Sequence, residues 1–240
     1  MTKSSVAVAG RSRLAGELVK LAQAAGFTAK LYPDGGAGSG SLIIETEAGD
    51  ENRKRGVIEK LDAEAPSSVV LTACLGFSTT RIASWTARPE RVVGFATFYP
   101  LTDKKVIELS AGLKTEEAAL KAAEDFFRAL GKEPERVKDA PGGVFPRILS
   151  LIVNEAARSL DEGVAAAEEI DTAMRLGVNY PSGPLGWADR AGLDEVLAVL
   201  EGLQRETGDD RYRPAPLIKK MVLAGRVGEA SGKGFYEYKK

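Results

Sequence analysis

Few residues in this chain could carry chemistry, and one absence constrains the rest. There is no histidine among the 240 residues, so the side chain that most often moves protons near neutral pH is missing. The single cysteine, Cys74, follows the apolar run Val69-Val70-Leu71-Thr72-Ala73. A thiol without an imidazole to activate it reads as a small core residue rather than a nucleophile. Glu108 is the one carboxylate inside the apolar run Val106-Ile107-Glu108-Leu109, either a site carboxylate or one paired with a lysine or arginine. Tyr99 closes the run Val92-Val93-Gly94-Phe95-Ala96-Thr97-Phe98, with Lys104 and Lys105 soon after. A tyrosine whose pKa is lowered by a lysine can transfer protons; packing at a strand end is the plainer reading. Near the start, Gly10 leads into Arg11, Ser12, Arg13 and Leu14, a turn able to face phosphate.

Bulk properties narrow the partners. A formal net charge of -1 argues against a nucleic-acid surface, which needs concentrated basic charge. One cysteine excludes an intramolecular disulfide and fits a reducing compartment. The apolar run after Met1-Thr2-Lys3-Ser4-Ser5 is too short for a secretory signal, and none approaches the roughly 20 residues that span a bilayer. The expectation is a soluble cytoplasmic protein with no membrane or nucleic-acid partner. No metal site is expected from one cysteine and no histidine, and the acidic residues between 47 and 51 read as a solvated loop and helix start.

The elements that would position these residues begin with Val6-Ala7-Val8-Ala9, a β-type run ending at Gly10. Leu14, Leu18, Leu21 and Ala22 follow at helical spacing until Gly26, and a second run covers residues 28–32. This is βαβ punctuation, with the Gly10 turn where a dinucleotide pyrophosphate would lie. Counted as G-x-G-x-x-G from Gly10, the second glycine is Ser12 and the third is Ala15. The Ser12 side chain stands where backbone should approach the pyrophosphate. Arg11 and Arg13 could compensate by charge, or the turn could be a structural relic. The acidic residue expected after the second strand is Pro33, with Asp34 next to it. Residues 34–41 read as a flexible glycine-rich bridge. Beyond it come a strand at 42–45, a helix at 52–64 with Val57, Ile58 and Leu61 on one face, a strand at 69–73, and a short turn or helix at 78–83. Thr115 reads as an N-cap and Gly131 as the following helix stop. The alternation predicts a doubly wound, mostly parallel sheet through residue 138.

The texture then changes. Pro141-Gly142-Gly143 is a breaker cluster, after which Ile148, Leu149, Ile152, Val153 and Ala156 form a helical stripe, with further helices at 168–176 and 193–207. The expected domains are 1–138, an α/β nucleotide-binding domain, and 139–240, a helical domain. On their own, Pro184, Pro214 and Pro216 read as loop punctuation.

The second half carries a resemblance. Asp171-Thr172-Ala173-Met174-Arg175-Leu176-Gly177-Val178-Asn179-Tyr180-Pro181 with Gly183-Pro184-Leu185 is similar to the helical domain of the 3-hydroxyacyl-CoA dehydrogenases. So are Arg211-Tyr212-Arg213-Pro214-Ala215-Pro216-Leu217 and Ser231-Gly232-Lys233-Gly234-Phe235-Tyr236. The flavour is that of bacterial 3-hydroxybutyryl-CoA and phenylacetate-pathway members; the match is specific over 139–240 and a scaffold match before it. It implies an α/β fold, a shortened Rossmann-like domain binding NAD followed by an all-α domain that completes an acyl-CoA cleft and pairs with its twin. In such enzymes a histidine takes the hydroxyl proton as hydride leaves C3, a glutamate orients the histidine, and an asparagine and a serine bond the substrate. By resemblance the histidine position is Ala96, the glutamate Glu108, the asparagine Pro146 and the serine Leu75, while Tyr99 stands at another family asparagine. The family also inserts paired helices after the second strand, where this chain has the glycine-rich bridge.

The expectation is therefore a family member from fatty acid metabolism that has lost its base and helpers. Such a pseudoenzyme would be retained to bind an acyl-CoA thioester, as a homodimer or beside an active paralogue. The alternatives are an active NAD-dependent oxidation of a short 3-hydroxyacyl-CoA through a substitute base such as Tyr99, and a purely structural dimerisation module.

Overall fold

Short runs rich in Val, Ile and Leu alternate with helices that bury one face, and this pattern builds a covered parallel sheet. The computed structural model describes residues 3–33 and 42–239 and divides into two compact units, Met1–Val144 and Phe145–Lys240. In the first unit the order is β1 (Lys3–Ala9), α1 (Arg13–Ala24), β2 (Phe27–Leu31), β3 (Leu42–Glu45), α2 (Glu51–Glu64), β4 (Val69–Ala73), α3 (Thr79–Ala83), β5 (Val92–Ala96), β6 (Val106–Ala111), α4 (Glu117–Ala129) and β7 (Glu133–Val137). The strands lie in the order β2-β1-β3-β4-β5-β6-β7. All neighbours are parallel except β5 and β6.

α1 buries Leu14, Ala15, Leu18 and Ala22, and α4 buries Ala119, Leu120, Ala123, Phe126 and Phe127. Both faces join β-strand residues such as Val8, Leu71 and Phe95 in one core. The cap of α4 is Glu116, not Thr115. The Thr115 hydroxyl instead donates to Val92 O at 2.7 Å and accepts from Gly112 N at 2.9 Å, a use that depends on Val92 of the distant strand β5. The polar strand β7, with sequence Glu-Pro-Glu-Arg-Val, sits at the sheet edge, where charge and proline discourage further pairing.

The order of successive strands reverses at β1, which has β2 on one side and β3 on the other. Open α/β sheets bind ligands in the crevice at such a switch point. The dinucleotide-binding order 3-2-1-4-5-6 places a further strand outside the second one; among the described residues none lies outside β2. Only the ten residues 32–41 separate β2 from β3, too few for a helix pair. Asp34 and the rest of 34–41 lie outside the described residues.

The ends of β3 and β4 are tied by a buried ion pair. Lys54 and Glu45 are both 0% exposed and in direct contact. Lys54 Nζ also donates to Glu47 O at 2.8 Å and Ala73 O at 2.9 Å. Glu45 further accepts from Thr72 Oγ1 at 2.6 Å and Glu47 N at 2.5 Å. A buried charge is tolerated when paired and fully hydrogen-bonded, and this one is.

The second unit is helical: α5 (Phe145–Asp161), α6 (Ala167–Gly177), α7 (Pro184–Ala191), α8 (Leu193–Thr207) and α9 (Pro216–Leu223). α5 packs on α7, α8 and α9. Pro184 and Pro216 are not mere loop punctuation: each opens a helix, at the position where a missing N–H costs nothing. Asp171 accepts the Leu185 and Gly186 amides at 2.8 and 2.9 Å, capping α7. Asp189, fully buried, gathers Phe235 N, Tyr236 N and the Tyr238 hydroxyl, fastening the C-terminal segment. Of the family-like residues here, Pro184, Leu185, Tyr212 and Ala215 are buried, whereas α6 buries none of its own. Replacing Lys54 with Met should leave Glu45 buried without its cation and cost about 3–5 kcal/mol, read by chemical denaturation.

Candidate functional site

The antiparallel pairing of β5 and β6 sets Ala96 directly opposite Glu108. Both are buried, at 3% and 8% exposure. The chain returns to this point after β7, where residues 141–144 turn over the pair. Gly143 has φ +55°, and a Cβ built on it would fall 2.3 Å from Glu108 Oε2 and 2.9 Å from the Ala96 Cβ. The next amide, Val144 N, donates to Glu108 Oε2 at 2.5 Å, while Gly142 N donates to Cys74 O at 2.7 Å. Only glycine fits that left-handed, close-approach position. The volume that a large side chain at position 96 would occupy is thus taken by main chain.

The other sequence-selected residues fall in different places. Leu75 is buried just after β4. Cys74 is buried beside it, its Sγ 3.2 Å from Phe95 O, and burial pushes its thiol up to about 12; it stays protonated and inert near neutral pH. Tyr99 has the Arg13 guanidinium 4.2 Å above its ring, a cation–π contact. Lys104 Nζ donates to Pro100 O at 2.6 Å. Pro146 belongs to the second unit, buried in the first turn of α5, where it can donate no hydrogen bond.

The Gly10 turn lies at the switch point. Gly10 has φ +126°, and a Cβ there would fall 2.1 Å from Thr46 Oγ1. Ser12 Oγ donates to Thr46 Oγ1 at 3.0 Å, and Thr46 Oγ1 to Ala9 O at 3.1 Å. The Arg11 amide donates to Glu47 Oε1 at 3.1 Å, and Glu47 Oε2 is 3.4 Å from Arg53. Glu47, expected in a solvated loop, is only 9% exposed; Asp50, capping α2 by accepting Arg53 N at 3.0 Å, does fit that expectation. Leu14 is buried in the core and Arg11 is exposed. As built, the turn does not fit a dinucleotide pyrophosphate: an amide suited to phosphate holds an internal carboxylate, and the second glycine position carries a bonded side chain.

No local sequence signal marks Glu45, Thr46 or Lys54, and Glu47 reads as part of a solvated loop. Their partners lie on other elements of the fold, and Lys54 sits in the cationic string Arg53-Lys54-Arg55, which looks uniformly solvated. Among the described residues no group of three or more histidine, cysteine, aspartate or glutamate side chains could hold a metal. Among the described residues no helix is long and apolar enough to cross a membrane.

Comparison with known proteins places the whole arrangement. Residues 9–140 match the 3-hydroxyacyl-CoA dehydrogenase NAD binding domain, and residues 142–238 match the C-terminal domain of the same family. The chain belongs to the 3-hydroxyacyl-CoA dehydrogenase family. A 3-hydroxybutyryl-CoA dehydrogenase of Clostridioides difficile is 40% identical over 200 residues, 83% of this chain and 71% of the relative, so the relative is the longer protein. The crystal structure of (S)-3-hydroxybutyryl-CoA dehydrogenase from Ralstonia eutropha superposes with a TM-score of 0.79 at 31% identity, covering 98% of this chain and 99% of that one. FadB2 of M. tuberculosis gives a TM-score of 0.84 at 26% identity, over 98% and 99% of the two chains. The family's cofactor, by this likeness, is NAD.

Gly143→Ala should cost about 1–3 kcal/mol, from a left-handed residue with a side chain forced onto Glu108. Denaturation midpoints check this; an unchanged midpoint would mean the turn does not close on Glu108.

Proposed function

We propose that this chain is a 3-hydroxybutyryl-CoA dehydrogenase-like protein that no longer carries out the family's dehydrogenation. It is retained as an acyl-CoA-binding or partner subunit with a weakened hold on NAD. The observation that carries this reading is the closure of Gly143 and Val144 over Ala96 and Glu108.

Oxidation of a 3-hydroxy group needs an acceptor for the hydroxyl proton. The family position for it is Ala96, whose methyl accepts nothing. Glu108, the expected orienting carboxylate, receives a main-chain amide in place of an imidazole. Leu75 and Pro146, at the positions of the polar helpers, bring no side-chain donor. The Gly10 turn with Arg11, Ser12, Arg13 and Leu14 retains the scaffold for NAD, while its first amide is engaged by Glu47.

Two features of the second unit support a pairing role, as a homodimer or with an active paralogue. α6 buries none of its residues, and Leu176, at the end of that helix, is 77% exposed. Val178 and Ile148 are exposed too.

NADH oxidation with acetoacetyl-CoA should run at least about 10²–10⁴-fold below that of the Clostridioides difficile relative assayed alongside. Ala96→His alone should not restore it, because Gly143 stands in the way. Robust wild-type turnover that vanishes in Tyr99→Phe would contradict the reading and establish a substitute base.

A further inference from the structure

The Gly10 turn points to a reason for weak nucleotide binding beyond its missing glycine. Backbone amides that leave a strand and lead into a helix N-terminus attract anions. In this chain the Arg11 amide already has one, the Glu47 carboxylate at 3.1 Å. That carboxylate is not a loose surface group. Its backbone is held on both sides, with Glu47 N bonded to Glu45 Oε1 at 2.5 Å and Glu47 O accepting Lys54 Nζ at 2.8 Å. Thr46, next to it, is bonded through its hydroxyl to both Ala9 O and Ser12 Oγ. The end of β3 is therefore fixed against the end of β1, with the Glu47 side chain directed into the switch-point crevice. Arg53, half exposed, pairs with the second carboxylate oxygen at 3.4 Å.

We propose that Glu47 is an internal anion occupying the phosphate place of the Gly10 turn, and that it sets the nucleotide affinity of this chain. A dinucleotide competes with the carboxylate for the Arg11 amide and meets its negative charge while it remains. Removing Glu47 frees the amide and one side of the Arg53 guanidinium, whose Nη2 keeps Asp50 at 3.5 Å. This rests on the reading of the Gly10 turn as the family's nucleotide turn, and it deepens the statement that NAD is held weakly.

The test is equilibrium binding of NADH, and separately of inorganic pyrophosphate, to the full chain and its variants, with no turnover readout. A charge-assisted hydrogen bond of ordinary strength corresponds to roughly a 10- to 100-fold change in affinity. Glu47→Ala is expected to bind both probes tighter by that factor, and Glu47→Gln, which keeps an acceptor but loses the charge, by a smaller one. Glu59→Gln makes the same charge change on the exposed face of α2, where Glu59 pairs with Arg55, and should leave binding unchanged. If Glu47→Ala fails to fold by its melting curve, Glu47→Asp, one methylene shorter, serves in its place and should also bind tighter. Equal affinities in wild type and a folded Glu47 variant for both probes would overturn the proposal, as would an equal gain in Glu59→Gln. Because binding alone is measured, discovery of dehydrogenase turnover would remove the functional reading without touching this one.

Discussion

A carboxylate withdrawn from water must find donors, and Glu108 finds one in the Val144 amide. That single hydrogen bond organises one end of the sheet. It draws residues 142–144 down onto β5 and β6, and the approach is possible because position 96 is alanine and position 143 is glycine. The same turn is anchored on β4 by the bond from Gly142 N to Cys74 O. Small residue, glycine turn and buried carboxylate are mutually dependent: enlarging either small residue would break the contact that satisfies the third. Alanine at position 96 is thus part of the packing of this turn.

A parallel situation holds at the switch point between β1 and β3. There the Arg11 amide takes an internal carboxylate, Ser12 and Thr46 bond each other, and the Lys54–Glu45 pair holds the end of β3 from beneath. At each place a main-chain amide donates to an internal carboxylate.

Much of this fold is legible in the sequence because its signals are local. The period of Leu14, Leu18 and Ala22 marks α1, the run 193–207 marks α8, and the motifs of the second half carry the family. The pairing of Ala96 with Glu108 followed from that family likeness, and the strand register gives it a physical basis. What escaped reading depends on long-range contacts. Glu47 meets Arg11 across 36 positions, and Lys54 looks like its charged neighbours although it is fully buried. Thr115 has the residue type of a helix cap but is consumed by β5. The polar strand β7 lacks the alternation that reveals half-buried strands, since edge position rather than a core face sets its composition.

In the structure the main chain of 142–144 fills the place beside Ala96 and Glu108. Amide hydrogen exchange at Gly142 and Val144 tests it most directly, since closed hydrogen bonds slow exchange by the free energy of opening them. The account expects both amides to be protected in the free protein and to stay protected with acetoacetyl-CoA present. Exchange at the rate of an open loop, or loss of protection when acetoacetyl-CoA binds, would mean that the turn is a gate over a usable site.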